Sequence, residues 1–99
     1  MRGVTMDPEG VELATLDRLL PLTGKRLLEI GCGDGRLTIA FAKRAASVVA
    51  IDPDRRAVAK ARRTLPRGLR GRVRFDVGRA ESLPYADGAF DAAIFSWAL

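Results

Sequence analysis

"LLEIGCGDGRLTIAFA", residues 27–42, is the stretch whose reading decides the fold. An apolar run ends in Glu29 and Ile30, glycine then falls at every second position (Gly31, Gly33, Gly35), and a helical pattern follows. The run "RLLEI" (26–30) is short and bounded by glycines, which predicts a buried parallel strand. Leu37, Ile39, Ala40 and Phe41 predict the inward face of a helix from about Asp34 to Ala46. A strand, a glycine-rich turn and a helix in that order place backbone N–H groups and the positive end of a helix at the mouth of a sheet. Glycines there let a ligand approach the backbone closely.

The flanking sequence extends the same pattern. "SVVAID" (47–52) reads as a second strand, and Pro53 opens another helix, "PDRRAVAKARRTL", ended by Pro66 and Gly68. "RVRFDV" (72–77) alternates as a third strand, and "FDAAIF" (90–95) reads as a fourth after the Asp87-Gly88 turn. Alternating strands and helices mean βαβ units and a parallel sheet. Upstream, "MDPEGVELATLDRLLPL" predicts a helix with Asp7 as N-cap and Pro8 at its first position. Residues 1–24 are therefore read as an N-terminal helix and turn, and 25–99 as part of one α/β domain. Four strands with three helices leave sheet surface bare, Phe95 and Trp97 included, so the chain reads as the first half of a longer domain. Alone, it is expected to be poorly soluble or to self-associate.

Composition removes several chemistries. The 99 residues contain no histidine, so Ser-His and Cys-His nucleophilic sites cannot be built from them. A single cysteine, Cys32, rules out an internal disulfide, makes a zinc site implausible and fits a reducing compartment. It is read as a packing residue. No apolar run approaches the roughly 20 residues that span a bilayer. "MRGVTMDPEG" lacks the apolar centre of a signal peptide, which points to the cytoplasm. Net charge is +5, from 17 basic and 12 acidic residues. Ten of the seventeen basic residues lie between Arg55 and Arg79. Ala57, Val58, Ala61 and Leu65 take the inward side of their helix, so these arginines read as its solvated face. Nucleic-acid contact is the lesser reading, because no aromatic is interleaved before Phe75.

Spacing separates the ligands that use such a glycine turn. A P-loop needs GxxxxGK with Ser or Thr next, but Arg26 follows Gly24-Lys25 and Leu19 stands where the first glycine belongs. The dinucleotide fingerprint G-x-G-x-x-G/A meets Arg36 at its third small position. The pattern present is E-x-G-x-G-x-G. Asp52, at the carboxyl end of the second strand, falls beside the glycine turn at the crevice of a doubly wound sheet. A carboxylate there can accept two hydrogen bonds from a ribose diol, and it suits a cationic ligand better than a pyrophosphate. The competing reading is an acid that caps the following helix.

From Arg26 to its last residue the chain resembles the class I S-adenosylmethionine-dependent methyltransferases. "LLEIGCGDG" is similar to their first motif, "VVAIDPD" to the strand ending in the ribose-binding acid, and "GRAESLPYADGAFDAAIFSWAL" to the adenine loop and fourth strand. "ESLPYADGAFD" most resembles the ubiquinone/menaquinone-type small-molecule enzymes of that family. The resemblance implies a Rossmann-like doubly wound parallel sheet, incomplete at about four strands, in order 3-2-1-4. It implies S-adenosyl-L-methionine as cofactor and S-adenosyl-L-homocysteine as product. Cofactor-binding positions carried over are Glu29, Gly31, Gly33, Asp34, Asp52, Arg79, Ala80 and Ser96. Glu29 helps organise the turn and the methionine end of the ligand, or simply partners local backbone donors. Asp34 contacts the ligand or caps the helix. Gly35 serves helix–strand packing. Where relatives carry "GDA" or "GNA", this chain has "GRA", and the Arg79 guanidinium offers no acceptor to the adenine amine. The Ala80 N–H can still meet a ring nitrogen, and Glu81 can supply the acceptor.

The implied reaction is direct displacement of an activated methyl, in which the protein mainly holds the acceptor in line. No residue stands out as a base. The acceptor is expected to be a small molecule, with RNA as a lesser alternative. A second reading is a non-catalytic or truncated cofactor-binding module that pairs through a bare fourth-strand edge. A NAD-binding domain is the third.

Overall fold

The computed structural model describes residues 2–6, 22–82, 85 and 88–96. Five strands form one sheet: β1 (Arg2–Met6), β2 (Arg26–Ile30), β3 (Ser47–Asp52), β4 (Val73–Val77) and β5 (Ala92–Ser96). All neighbours are parallel, in the order β1-β5-β2-β3-β4. The four expected strands thus stand in the expected order 3-2-1-4. The addition is β1, which pairs along β5 from Arg2 opposite Ala92 to Met6 opposite Ser96. It occupies the edge that the sequence leaves bare. The helix expected from Asp7 onward, and Trp97, lie outside the described residues.

Alternation along the strands sorts the core into two clusters. Leu27, Val48, Ala50, Phe75, Ala92 and Ile94 face the helices α1 (Arg36–Ala42) and α2 (Arg55–Thr64). Leu28 and Ala93 face the other side, where Phe90 packs with Tyr85 and partly buried Ile30 and Val49. Tyr85 and Phe90 meet edge to face at a centroid distance of 5.1 Å. Because period two also governs polar positions, Glu29 shares its face with Leu27, and Ser96 shares its face with Ala92 and Ile94. Both are buried beneath α1.

The helices are shorter than their sequence patterns. α1 ends at Ala42, and residues 43–46 form turns. Its fully buried positions are Thr38, Phe41 and Ala42, while Leu37 and Ile39 only flank the core. Thr38 is thus inward although polar. α2 starts after Asp54, whose side chain accepts from the Arg56 N–H at 2.9 Å and the Ala57 N–H at 3.3 Å. It buries Val58 and Ala61.

The basic stretch is not solely a solvated face. The Arg62 guanidinium donates to the Phe75 carbonyl at 2.9 and 2.7 Å and lies 3.5 Å from Asp76. It thereby occupies an outward acceptor of edge strand β4.

At the opposite end of the sheet, Arg26 grips Asp91. Its Nη2 lies 3.1 Å from Oδ1, and its backbone N–H donates to Oδ2 at 2.8 Å. These bonds hold the Asp91 carboxyl down to about 2, from an ordinary 3.8. A depressed carboxylate binds fewer protons in the folded chain than in the unfolded one. Its stabilisation is therefore present above pH 3.8 and lost as pH falls towards about 2. Asp91→Asn should lower the melting temperature at neutral pH, and thermal melts on acidification should show the gap to the parent chain closing across that window.

Candidate cofactor site

The glycine turn is a folded object with fixed hydrogen bonds. Gly31, Gly33 and Gly35 all have positive φ (86°, 55° and 86°), a region that costs other residues strain. The Gly31 and Cys32 N–H groups both donate to the Ile51 carbonyl, at 2.8 and 3.0 Å. The turn is thus pinned to the end of β3. A Cβ on Gly31 would stand 2.6 Å from the Ser96 carbonyl oxygen. A Cβ on Gly35 would stand 2.8 Å from the Phe75 ring and 3.1 Å from Ala61. Only the Cβ position of Gly33 meets nothing within 4 Å. The three glycines therefore divide the work: Gly31 and Gly35 admit the protein's own atoms, and Gly33 opens outward.

Asp52 stands at the carboxyl end of β3, nearly buried. Its Oδ2 accepts the Gly33 N–H at 2.9 Å and its Oδ1 accepts the Asp54 N–H at 2.8 Å. A carboxylate has about four acceptor positions, so two remain for a ligand. The capping reading attached to Asp52 belongs instead to Asp54, two residues on. The Asp52 carbonyl also accepts the Gly78 N–H at 3.1 Å, which brings the turn after β4 alongside. In that turn Arg79 bridges to Ser82, and Arg79, Ala80 and Glu81 are all exposed.

Glu29 is completely buried, with no unpartnered oxygen. Thr38 Oγ1 donates to one carboxylate oxygen, and Ser96 Oγ donates to the other at 2.5 Å. One side chain thus ties β2, α1 and β5 together directly under the glycine turn. Burial pushes the Glu29 carboxyl up from 4.5, the two hydroxyls pull it back in part, and the charge of Asp52 adds to the rise. The folded chain then retains this proton to higher pH than the unfolded chain does. That contribution falls as pH rises above 4.5. Glu29→Gln removes the titration, so melts taken from acidic to neutral pH should show the variant gaining on the parent as pH rises.

Asp34 is half-buried and caps nothing, since the N-cap of α1 is Gly35 and no side chain caps the helix. Its carboxylate faces Arg36 Nε at 3.4 Å and Lys60 Nζ at 3.6 Å. Cys32 is buried, and desolvation together with the charges of Glu29, Asp52 and Asp34 pushes its thiol up to about 12. It is a packing residue and no nucleophile at neutral pH.

Hydrogen bonds and the Gly31 contact therefore link Glu29, Gly31, Gly33, Asp52 and Ser96, with Asp34 in the same turn and Arg79 and Ala80 joined through Gly78. Thr38 belongs to this set and was missed by sequence reasoning. Its only signal was a hydroxyl amid an otherwise apolar helix face. Among the described residues no group of three potential metal ligands occurs.

The observed constellation can hold a ligand that offers a diol to Asp52 and a cation to an acidic turn, with Gly33 leaving it room. Comparison with known proteins agrees with that chemistry. A family profile described as "Methyltransferase domain" matches residues 27–99. Magnesium-protoporphyrin O-methyltransferase of Rhodobacter capsulatus is 41% identical over 73 residues, which are 74% of this chain and 32% of the relative. Ubiquinone/menaquinone biosynthesis C-methyltransferase of Dinoroseobacter shibae is 34% identical over 89 residues, 87% of this chain and 36% of the relative. The chain thus spans about a third of the length of these relatives. An S-adenosylmethionine-dependent methyltransferase from Mesorhizobium loti superposes with a TM-score of 0.75 at 26% identity, over 91% of this chain and 42% of that one. With the glycine turn, the strand-end acid and the strand order all in place, the chain belongs to the S-adenosylmethionine-dependent methyltransferase domain family.

Proposed function

We propose that this chain forms the cofactor-binding part of a methyltransferase that uses S-adenosylmethionine and acts on a small-molecule acceptor. The observation that carries the reading is the pairing of the Gly33 amide with Asp52 at a turn whose outward glycine leaves open space. Bound S-adenosylmethionine supplies a methyl group already activated on a sulfonium sulfur. The chain's own residues bind and orient. Asp52 keeps two acceptor positions for a ribose diol, and Gly33 lets the ligand lie against the backbone. Ala80 offers an N–H to the adenine ring, with Arg79 and Glu81 beside it. Asp52 gives the turn the negative character that suits a cation, and Asp34, in the same turn, shares its charge with Arg36 and Lys60. Glu29, enclosed by Thr38 and Ser96, acts on the ligand through the position of Ser96 and the turn. No side chain is assigned as a general base, and acceleration rests on positioning.

A small-molecule acceptor is favoured by the names of the two relatives, one an enzyme of magnesium protoporphyrin and one of ubiquinone/menaquinone biosynthesis. Residues 25–99 serve as part of the cofactor domain, whose sheet also takes in β1 (Arg2–Met6). The lone buried thiol suits a cytoplasmic setting, and no helix among the described residues is long and apolar enough to cross a membrane. Titration calorimetry tests the assignment. S-adenosylhomocysteine should bind more tightly than NAD, and tighter binding of NAD would overturn it.

A further inference from the structure

The two ends of this molecule differ in charge pattern. Asp34, Asp52, Asp54, Asp76 and Glu81 stand at or just beyond the carboxyl ends of the parallel strands, interleaved with Arg36, Arg55, Arg56 and Arg79. The amino ends are closed by short turns that backbone hydrogen bonds tie together. Gly24 N–H donates to the Arg44 carbonyl at 3.2 Å, Ala46 N–H to Lys25 at 2.8 Å, and Val48 N–H to Arg72 at 2.8 Å. These bonds bring Lys25, Lys43, Arg70 and Arg72 onto one rim, and Arg67 precedes it on a single 3-10 turn. All five are exposed. Among the described residues the rim's only carboxylate is Asp91, already gripped by Arg26. Lys43, Arg67, Arg70 and Arg72 make no ion pair with any described residue.

We propose that this rim docks the protein on an anionic lipid bilayer, at the end of the sheet opposite the glycine turn. A cluster of roughly four to eight free cations is what an anionic leaflet attracts. The described exposed large apolar side chains, Val77 and Phe95, both lie towards the other end. Among the described residues the rim therefore has no wedge to insert among acyl chains and no ring on which a base could stack. Nor does a helix or two-stranded ribbon project from the described turns to enter the groove of a duplex. What remains is an array of cations suited to a plane of phosphates. At the far end acids and arginines offset one another, so the unpaired cations of the rim orient the molecule as well as attracting it. Asp52 and the open side of Gly33 then face water.

Co-sedimentation with vesicles decides it. The chain should bind vesicles of phosphatidylglycerol and phosphatidylcholine but not of phosphatidylcholine alone, and raised salt should release it. Arg70→Glu with Arg72→Glu should lower the partition coefficient about tenfold or more. Arg55→Glu with Arg56→Glu, an equal change in net charge at the other end, should alter it less than about twofold. The milder pair Arg70→Gln with Arg72→Gln should give an intermediate loss if the reversed pair does not fold. Binding indifferent to phosphatidylglycerol would overturn the proposal, as would equal losses in the two reversed pairs. Displacement from the vesicles by duplex RNA at equal phosphate concentration would make the rim a nucleic-acid surface instead.

Discussion

Asp52→Ala is expected to weaken binding of S-adenosylhomocysteine about tenfold to a hundredfold, or ~1.4–2.8 kcal/mol. Two losses combine. The ribose diol loses a charged acceptor, at ~1.5–3 kcal/mol for a hydrogen bond of that kind. The Gly33 N–H, at 2.9 Å from Oδ2, loses the contact that shapes the turn around the ligand. Removing the acceptor also leaves the Asp54 N–H unpartnered by a side chain, so the variant should melt somewhat lower. Asp54→Ala is the comparison that separates binding from capping. It removes the α2 cap, at ~1 kcal/mol of stability, while leaving in place the backbone N–H that Asp54 donates to Asp52. Calorimetry should find its affinity for S-adenosylhomocysteine within about twofold of the parent. If Asp52→Ala left the dissociation constant unchanged, Asp52 would be a turn-forming acid and nothing more.

That comparison also marks where the sequence was legible. Four strands followed from apolar runs and glycine boundaries, because local pattern and tertiary placement agree there, and their order followed from the family resemblance. The assignment of a cap did not: "DPD" holds two candidate acids, and only the bonds at 2.9 and 3.3 Å give the role to Asp54. Thr38 escaped because its meaning depends on Glu29 nine positions earlier and Ser96 far along the chain, a meeting that no local period encodes. Arg62 looked like one solvated arginine among many, yet it satisfies a strand-edge carbonyl that folding alone brings within reach. β1 escaped for a related reason. "RGVTM" is short and mixed in polarity, and its pairing partner is the last described strand, 90 residues away at Arg2 opposite Ala92. Asp34 was open between two roles; the cap position falls to Gly35, and the Asp34 oxygens face Arg36 and Lys60.

The three glycines should part company when each is given a methyl group. Gly31→Ala forces a residue with a Cβ into φ +86° and drives that atom to 2.6 Å from the Ser96 carbonyl oxygen. Positive φ costs ~1–2 kcal/mol and overpacking typically ~1–3 kcal/mol. The obstacle here is backbone, and Ser96 is also held by its hydroxyl on Glu29, so it cannot simply swing aside. Urea titration should find unfolding easier by ~2–5 kcal/mol, a large part of the stability of any small domain. Gly35→Ala meets a ring and a methyl at 2.8 and 3.1 Å; side chains can yield, so its loss should be smaller. Gly33→Ala has open space and should cost only the ~1–2 kcal/mol of its backbone conformation. Its methyl, however, enters the one direction the protein leaves empty. Among the three it should therefore be the variant whose loss of S-adenosylhomocysteine affinity most exceeds its loss of stability. A Gly33→Ala chain that binds as well as the parent would move the ligand to another face of the turn. Equal stability losses in Gly31→Ala and Gly33→Ala would show that backbone strain alone, and not the Ser96 carbonyl, holds glycine at position 31.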